Sequence, residues 1–107
     1  MRILPLAFIM FLLVAAPAGA ARNVKIGDDY YGRTGAKPTV TVSKGTTVKW
    51  NWKGRRQHNV VVQSGPRSFQ SALKRSGSFK RKMTVRGTYR LICSIHAPDM
   101  RMKLVVR

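Results

Sequence analysis

Cys93, His96 and Met100 share one short stretch near the C-terminus, Cys93-Ser94-Ile95-His96-Ala97-Pro98-Asp99-Met100. A thiolate, an imidazole and a thioether on a single loop are the side-chain donors that a soft transition metal takes. A second imidazole is available upstream in Gln57-His58-Asn59-Val60, and His58 and His96 are the only histidines in the chain. Two imidazoles and a thiolate in a trigonal arrangement, with a weak axial thioether, suit a copper centre cycling between Cu(I) and Cu(II). The residue types therefore nominate His58, Cys93, His96 and Met100 as ligands of one copper ion. Met102 competes for the axial position, but it shares parity with Leu104 and Val106 and reads as a core residue of the last strand. Zinc would accept the same cysteine and histidines; the thioether favours copper.

Cys93 is the only cysteine. Exported chains normally carry cysteines in pairs, and a lone one is intermolecular, reactive or metal-bound. Export itself is expected from residues 1–20. Arg2 supplies a positive start, Ile3 to Ala16 is nearly all apolar, and Ala18-Gly19-Ala20 offers small residues for cleavage. The apolar run is shorter than the roughly 20 residues of a spanning helix, so a signal peptide is expected and stable membrane insertion is not. No cysteine at the cleavage point invites a lipid anchor. Residues 21–107 then form one small domain with one core, in the periplasm or outside the cell.

The elements that must position these donors read as strands. Val40 and Val42 alternate in Thr39-Val40-Thr41-Val42, Lys44-Gly45 turns, and Val48, Trp50 and Trp52 share one face of the next run. A third β-rich run extends from His58 to Gln63. Arg67 to Gly77 reads as loop with one short strand or helical turn. Beyond it, Phe79, Met83 and Val85 share a parity. Tyr89, Leu91 and Cys93 share another, which points Cys93 inward. Met102, Leu104 and Val106 alternate in the last strand, and Val24 to Ile26 supplies a first one. About seven or eight short strands with regular turn signals predict an all-β Greek-key sandwich.

The order of the donors, one distant histidine and then Cys, His and Met on one loop, resembles the blue copper proteins, the cupredoxins, and most closely the plastocyanin and amicyanin group. In that family the first histidine is commonly trailed by Asn-Val, as in His58-Asn59-Val60, and a late strand carries Gly-x-Tyr-x-x-x-Cys, as in Gly87 to Cys93. Cys-x-x-His, a methionine and a closing apolar strand follow, here Lys103-Leu104-Val105-Val106. Three residues separate His96 from Met100, where familiar members have two or four. The resemblance covers essentially the whole chain after Ala21. It implies a cupredoxin-like sandwich holding one type 1 copper for single-electron transfer, with no substrate transformed. It also implies that Asn59 and Ser94 clamp the two ligand segments together and that electrons pass at the edge of His96, beside Ala97 and Pro98.

Charge is the chain's extreme feature: 21 Lys and Arg against Asp28, Asp29 and Asp99, a net +18. Loss of Arg2 with the leader leaves 20 basic residues over three acidic ones, +17. Such a surface attracts polyanions and speeds encounter with acidic partners in a salt-dependent way. An acidic redox protein docking near His96, and a monomeric state, are expected. Two other readings use the same features: a copper carrier or scavenger, and a basic module binding anionic surfaces. Nucleic acid is disfavoured because export removes it and because Trp50 and Trp52 read as core. Three carboxylates without pairing or a Ser-His-Asp order argue against an enzyme.

Overall fold

β-branched and aromatic residues at alternate positions draw the chain into eight strands among the residues described, 20–107 of this computed structural model. The expected leader over 1–20 lies, except for Ala20, outside the described residues. The strands are β1 (Ala21–Gly27), β2 (Tyr30–Tyr31), β3 (Thr39–Val42), β4 (Thr47–Trp52), β5 (Val61–Ser64), β6 (Gly77–Lys82), β7 (Gly87–Ile92) and β8 (Arg101–Val106). They form two four-stranded sheets, ordered β2-β1-β4-β6 and β3-β8-β7-β5. Only β1–β2 and β7–β8 are both consecutive and adjacent, so every other connection crosses from one sheet to the other. β1 runs parallel to β4 and β3 parallel to β8; the remaining pairs are antiparallel. The expected all-β sandwich is the fold observed.

Alternation decides which side chains meet between the sheets. Val24, Ile26, Val48, Trp50 and Trp52 are buried from the first sheet, and Val40, Val42, Tyr89, Leu91, Met102, Leu104 and Val106 from the second. The register sets Trp50 opposite Val24 and Phe79, and Leu91 opposite Met102. Across the sandwich the Trp50 indole N–H donates to the Met102 sulfur at 3.5 Å. That contact commits the Met102 thioether to the core. No buried side-chain nitrogen or oxygen among the described residues lacks a partner.

Three local readings are refined. The run from His58 to Gln63 is strand only from Val61; His58 itself makes an isolated bridge with Lys74. The stretch from Arg67 to Gly77 contains no helical turn, and it lies against the His58 segment through bridges at Gln70 and Lys74. β6 stops at Lys82, one residue before Met83, whose N–H and C=O are taken by Thr46 and Gly45 across the turn. In each case hydrogen bonds from a distant segment, not the local pattern, decided the outcome.

Leu104 is fully buried at the centre of the second sheet. Leu104→Ala is expected to destabilise the metal-free protein by about 2–5 kcal/mol, read as a lower urea midpoint with an unchanged slope.

Candidate metal centre

His58 sits in an irregular segment between β4 and β5, and that irregularity is fully paid for in hydrogen bonds. Its N–H and C=O exchange bonds with Lys74, and its C=O also accepts the Trp52 indole N–H at 3.0 Å. The next carbonyl, of Asn59, accepts the buried Tyr31 hydroxyl at 2.7 Å. Val60 N–H donates to Ser71 Oγ at 2.9 Å, and Val60 C=O accepts from Ser71 N–H. A backbone outside a strand ladder needs such partners when it is buried. They hold the His58 ring, fully buried, at one end of the sandwich.

The loop from β7 to β8 supplies the other donors. Cys93 continues the inward parity of Tyr89 and Leu91 and is fully buried, as expected from the alternation. Three backbone bonds close the loop on itself: His96 N–H to Cys93 C=O, Met100 N–H to His96 C=O, and Cys93 N–H to Met100 C=O, each at 3.1 Å. Met100 is fully buried, whereas Ile95, Ala97 and Pro98 face solvent. Asn59 and Ser94 join the two segments reciprocally. Asn59 Nδ2 donates to Ser94 Oγ and Ser94 N–H donates to Asn59 Oδ1, both at 2.8 Å. The clamp implied by the family resemblance is therefore present.

The result is a convergence of donor atoms. One ligand atom from each of His58, Cys93 and His96 lies within 4.8 Å of the others. Cys93 Sγ stands 3.4 Å from His96 Nδ1 and 4.0 Å from His58 Nδ1. Nitrogen and sulfur donors at about 2.0–2.3 Å from a shared metal ion would stand roughly 3.3–4.0 Å apart, so the spacing fits one small ion. Both rings turn Nδ1 toward the sulfur. Their Nε2 atoms point away, to Asp28 Oδ1 at 3.1 Å from His58 and to Asp29 Oδ1 at 3.3 Å from His96.

Asp28 and Asp29 went unrecognised in the sequence as anything but rare acids. They occupy the turn between β1 and β2, far from either histidine in sequence, and no local pattern links them to a metal site. Asp28 also accepts the backbone N–H groups of Arg55 and Arg56 at 2.9–3.1 Å. The Arg56 N–H, then the His58 ring and the Arg55 N–H, hold its carboxyl down to about 2. Trp52 was likewise legible only as a core residue and Ser71 only as part of a loop, and Tyr31 drew no reading at all. Burial pushes the Tyr31 hydroxyl far up, keeping it a neutral donor.

A model of copper-binding proteins of the plastocyanin/azurin family matches residues 34–107. This chain belongs to that family. Among solved structures, the Cu(I) form of a methionine-to-glutamine mutant of amicyanin is 28% identical, with a TM-score of 0.65 over 82% of this chain and 83% of that one. An oxidised methionine-to-leucine mutant of amicyanin is also 28% identical, with a TM-score of 0.64 over 88% and 86% of the two chains. A copper-containing nitrite reductase from Thermus scotoductus SA-01 shares the fold, at 21% identity and a TM-score of 0.67, but this chain spans 24% of its length. No sequence among curated proteins matches. The cupredoxin's cofactor is one copper ion, which the His-Cys-His donor set accommodates. Like the blue copper proteins it resembles, it is not an enzyme.

Asn59→Ala removes both bonds of the clamp and leaves Ser94 N–H without its acceptor. We expect a loss of about 1–3 kcal/mol in metal-free stability. Ser94→Ala, which keeps its N–H bond to Asn59, should lose about 0.5–1.5 kcal/mol; parallel urea titrations of the two variants check the order.

Proposed function

We propose that this cupredoxin is an exported single-electron carrier whose copper is held by His58, Cys93, His96 and Met100. The observation that carries the reading is the convergence of His58 Nδ1, Cys93 Sγ and His96 Nδ1 on one buried point. Met100 is favoured over Met102 as the fourth donor because the Met102 sulfur already accepts the Trp50 N–H. Bound copper supplies a one-electron Cu(I)/Cu(II) couple with a soft thiolate suited to both states. The chain's part is to hold the donors still. His58 is anchored by Trp52 and Lys74, and the Cys93 loop by its own backbone bonds and by Asn59. Donors that keep one geometry in both oxidation states need little reorganisation, whereas a carrier that hands over its metal has to open this clamp.

His96 is the donor nearest solvent, its side chain 25% exposed. Ile95, Ala97 and Pro98 form an exposed apolar rim beside it. Arg56 and Arg101 are pinned close by, Arg56 to Asp29 and Arg101 to the Pro98 carbonyl. An apolar contact ringed by cations suits brief docking of an acidic redox protein, with electrostatics setting the encounter rate. A signal-directed route to the periplasm or the cell exterior agrees with the leader-like residues 1–20 and the unpaired cysteine. No helix among the described residues is long and apolar enough to cross a membrane.

Copper titration followed by visible absorption and electron paramagnetic resonance tests the ligand set. An intense thiolate-to-copper band that reductant bleaches reversibly is expected, lost in Cys93→Ser and altered in Met100→Leu but unchanged in Met102→Leu. A colourless protein, or ready surrender of copper to a weak chelator, overturns the electron-carrier reading. The rate of electron exchange with an anionic reagent such as ferricyanide should fall as salt rises. Arg101→Glu should slow that exchange at low salt, measured by stopped-flow absorption.

A further inference from the structure

The chain has only three carboxylates, and two of them, adjacent in sequence, each meet one histidine of the donor cluster. Asp28 Oδ1 lies 3.1 Å from His58 Nε2, and Asp29 Oδ1 lies 3.3 Å from His96 Nε2. In a strongly basic protein this placement does not follow from abundance. The surrounding backbone is shaped to produce it. Asp28 is seated by the N–H groups of Arg55 and Arg56. Gly54 leaves the room for that seat, since a Cβ there would overlap the Asp28 carboxylate. Asp29 adopts a φ of 71°, the left-handed region that residues other than glycine seldom enter, and its other oxygen is held by Arg56 Nη1 at 3.2 Å.

We propose that Asp28 and Asp29 are positioning residues of the copper centre, one behind each histidine, which fix the ring nitrogen offered to the metal and stabilise Cu(II) over Cu(I). This rests on the ligand set proposed above. Each carboxylate accepts the Nε2–H of its histidine, which leaves the Nδ1 lone pair directed at the point shared with Cys93. A histidine's free nitrogen is assigned by the hydrogen bond its other nitrogen makes. The two negative charges favour the more positive oxidation state, so they lower the midpoint potential. Asp28 has the larger effect, because its histidine is fully buried and no Lys or Arg side chain among the described residues is paired with it. Asp29 is more exposed and is partly neutralised by Arg56. The two pairs also divide the work spatially: Asp28 acts on the interior ligand, Asp29 on the ligand at the docking face.

The test uses the copper-loaded protein and its Asp28→Asn, Asp29→Asn and Asp28→Glu variants. Asparagine keeps an oxygen acceptor and loses the charge; glutamate keeps the charge. Three quantities are read: the thiolate-to-copper band, the midpoint potential by spectroelectrochemistry, and the protonated ring nitrogen of each histidine by nitrogen-15 NMR of the metal-free protein. We expect the band to persist in all variants. Asp28→Asn should change the Cu(II)/Cu(I) ratio at a fixed potential about tenfold toward Cu(I), equivalent to a rise of about 59 mV for one electron. Asp29→Asn should shift it in the same direction by less, and Asp28→Glu should lie near the unmutated value. The metal-free protein should carry its ring protons on Nε2. Cu(II) affinity should fall about 10- to 100-fold in Asp28→Asn. An intact band with potentials unmoved in both asparagine variants overturns this inference alone. Absence of the band from the unmutated protein overturns the ligand set and this inference with it. Should Asp28→Asn fail to fold, Asp29→Asn carries the test, because the Asp29 side chain contacts only Arg56 and His96 among its polar neighbours.

Discussion

The reciprocal hydrogen bonds between Asn59 and Ser94 tie together two segments at the point where they leave the β5–β7 ladder, just beyond the Val61–Ile92 pair. His58 lies after the fourth strand and Cys93 after the seventh, and their donor atoms must come within about 4 Å for a shared ion. Asn59 and Ser94 are the immediate neighbours of those two donors, so a bond pair at 2.8 Å on each side sets the donor separation directly. The rest of the local structure supports this joint. Tyr31, Ser71 and Lys74 each satisfy a backbone group of the His58 segment that would otherwise be buried and unpaired, and Trp52 adds a second donor to the His58 carbonyl. A site assembled this way is formed before the metal arrives, because every restraint on the donors is an ordinary protein contact.

The sandwich explains why such a joint is available at this end. Parallel pairing of β1 with β4 and antiparallel pairing of β5 with β7 bring the β4–β5, β7–β8 and β1–β2 junctions to the same end, and each contributes: His58, the Cys93 to Met100 loop, and the Asp28-Asp29 turn. Most core side chains, Cys93 and Met100 apart, pack between the sheets. Trp50 illustrates the division, since it packs against Phe69 and Phe79 and engages the Met102 sulfur, leaving Met100 as the uncommitted thioether of the loop.

Charge is distributed with a comparable logic. Among the described residues nearly every ionisable side chain is a cation without an acidic partner, which favours encounter with anionic molecules over long distances and contributes little to the fold. The acidic groups do the opposite. Asp28 and Asp29 act over hydrogen-bond distance on the two histidines, while Arg56 links Asp29 back to the basic exterior. Long-range attraction and local tuning of the metal site thus fall to residues of opposite sign.

Alternation and spacing in the sequence determined the sandwich, the inward aim of Cys93 and the burial of Trp50 and Trp52, and the residue types nominated the candidate donors, of which His58, Cys93 and His96 converge. Those features are legible because a strand's period of two and a ligand's chemistry are local properties. The extent of strand around His58 was not, because its backbone partners come from Ser71 and Lys74, residues in a stretch without periodicity. Asp28 and Asp29 were invisible as site residues for a similar reason. Their role depends on which loop the fold sets beside which histidine, and on Gly54 yielding space 26 residues away from Asp28. Residue type set the chemistry that was possible; only the pairing of β1 with β4 within one sheet, and the packing of that sheet on the other, brought the carboxylates and imidazoles within hydrogen-bond distance.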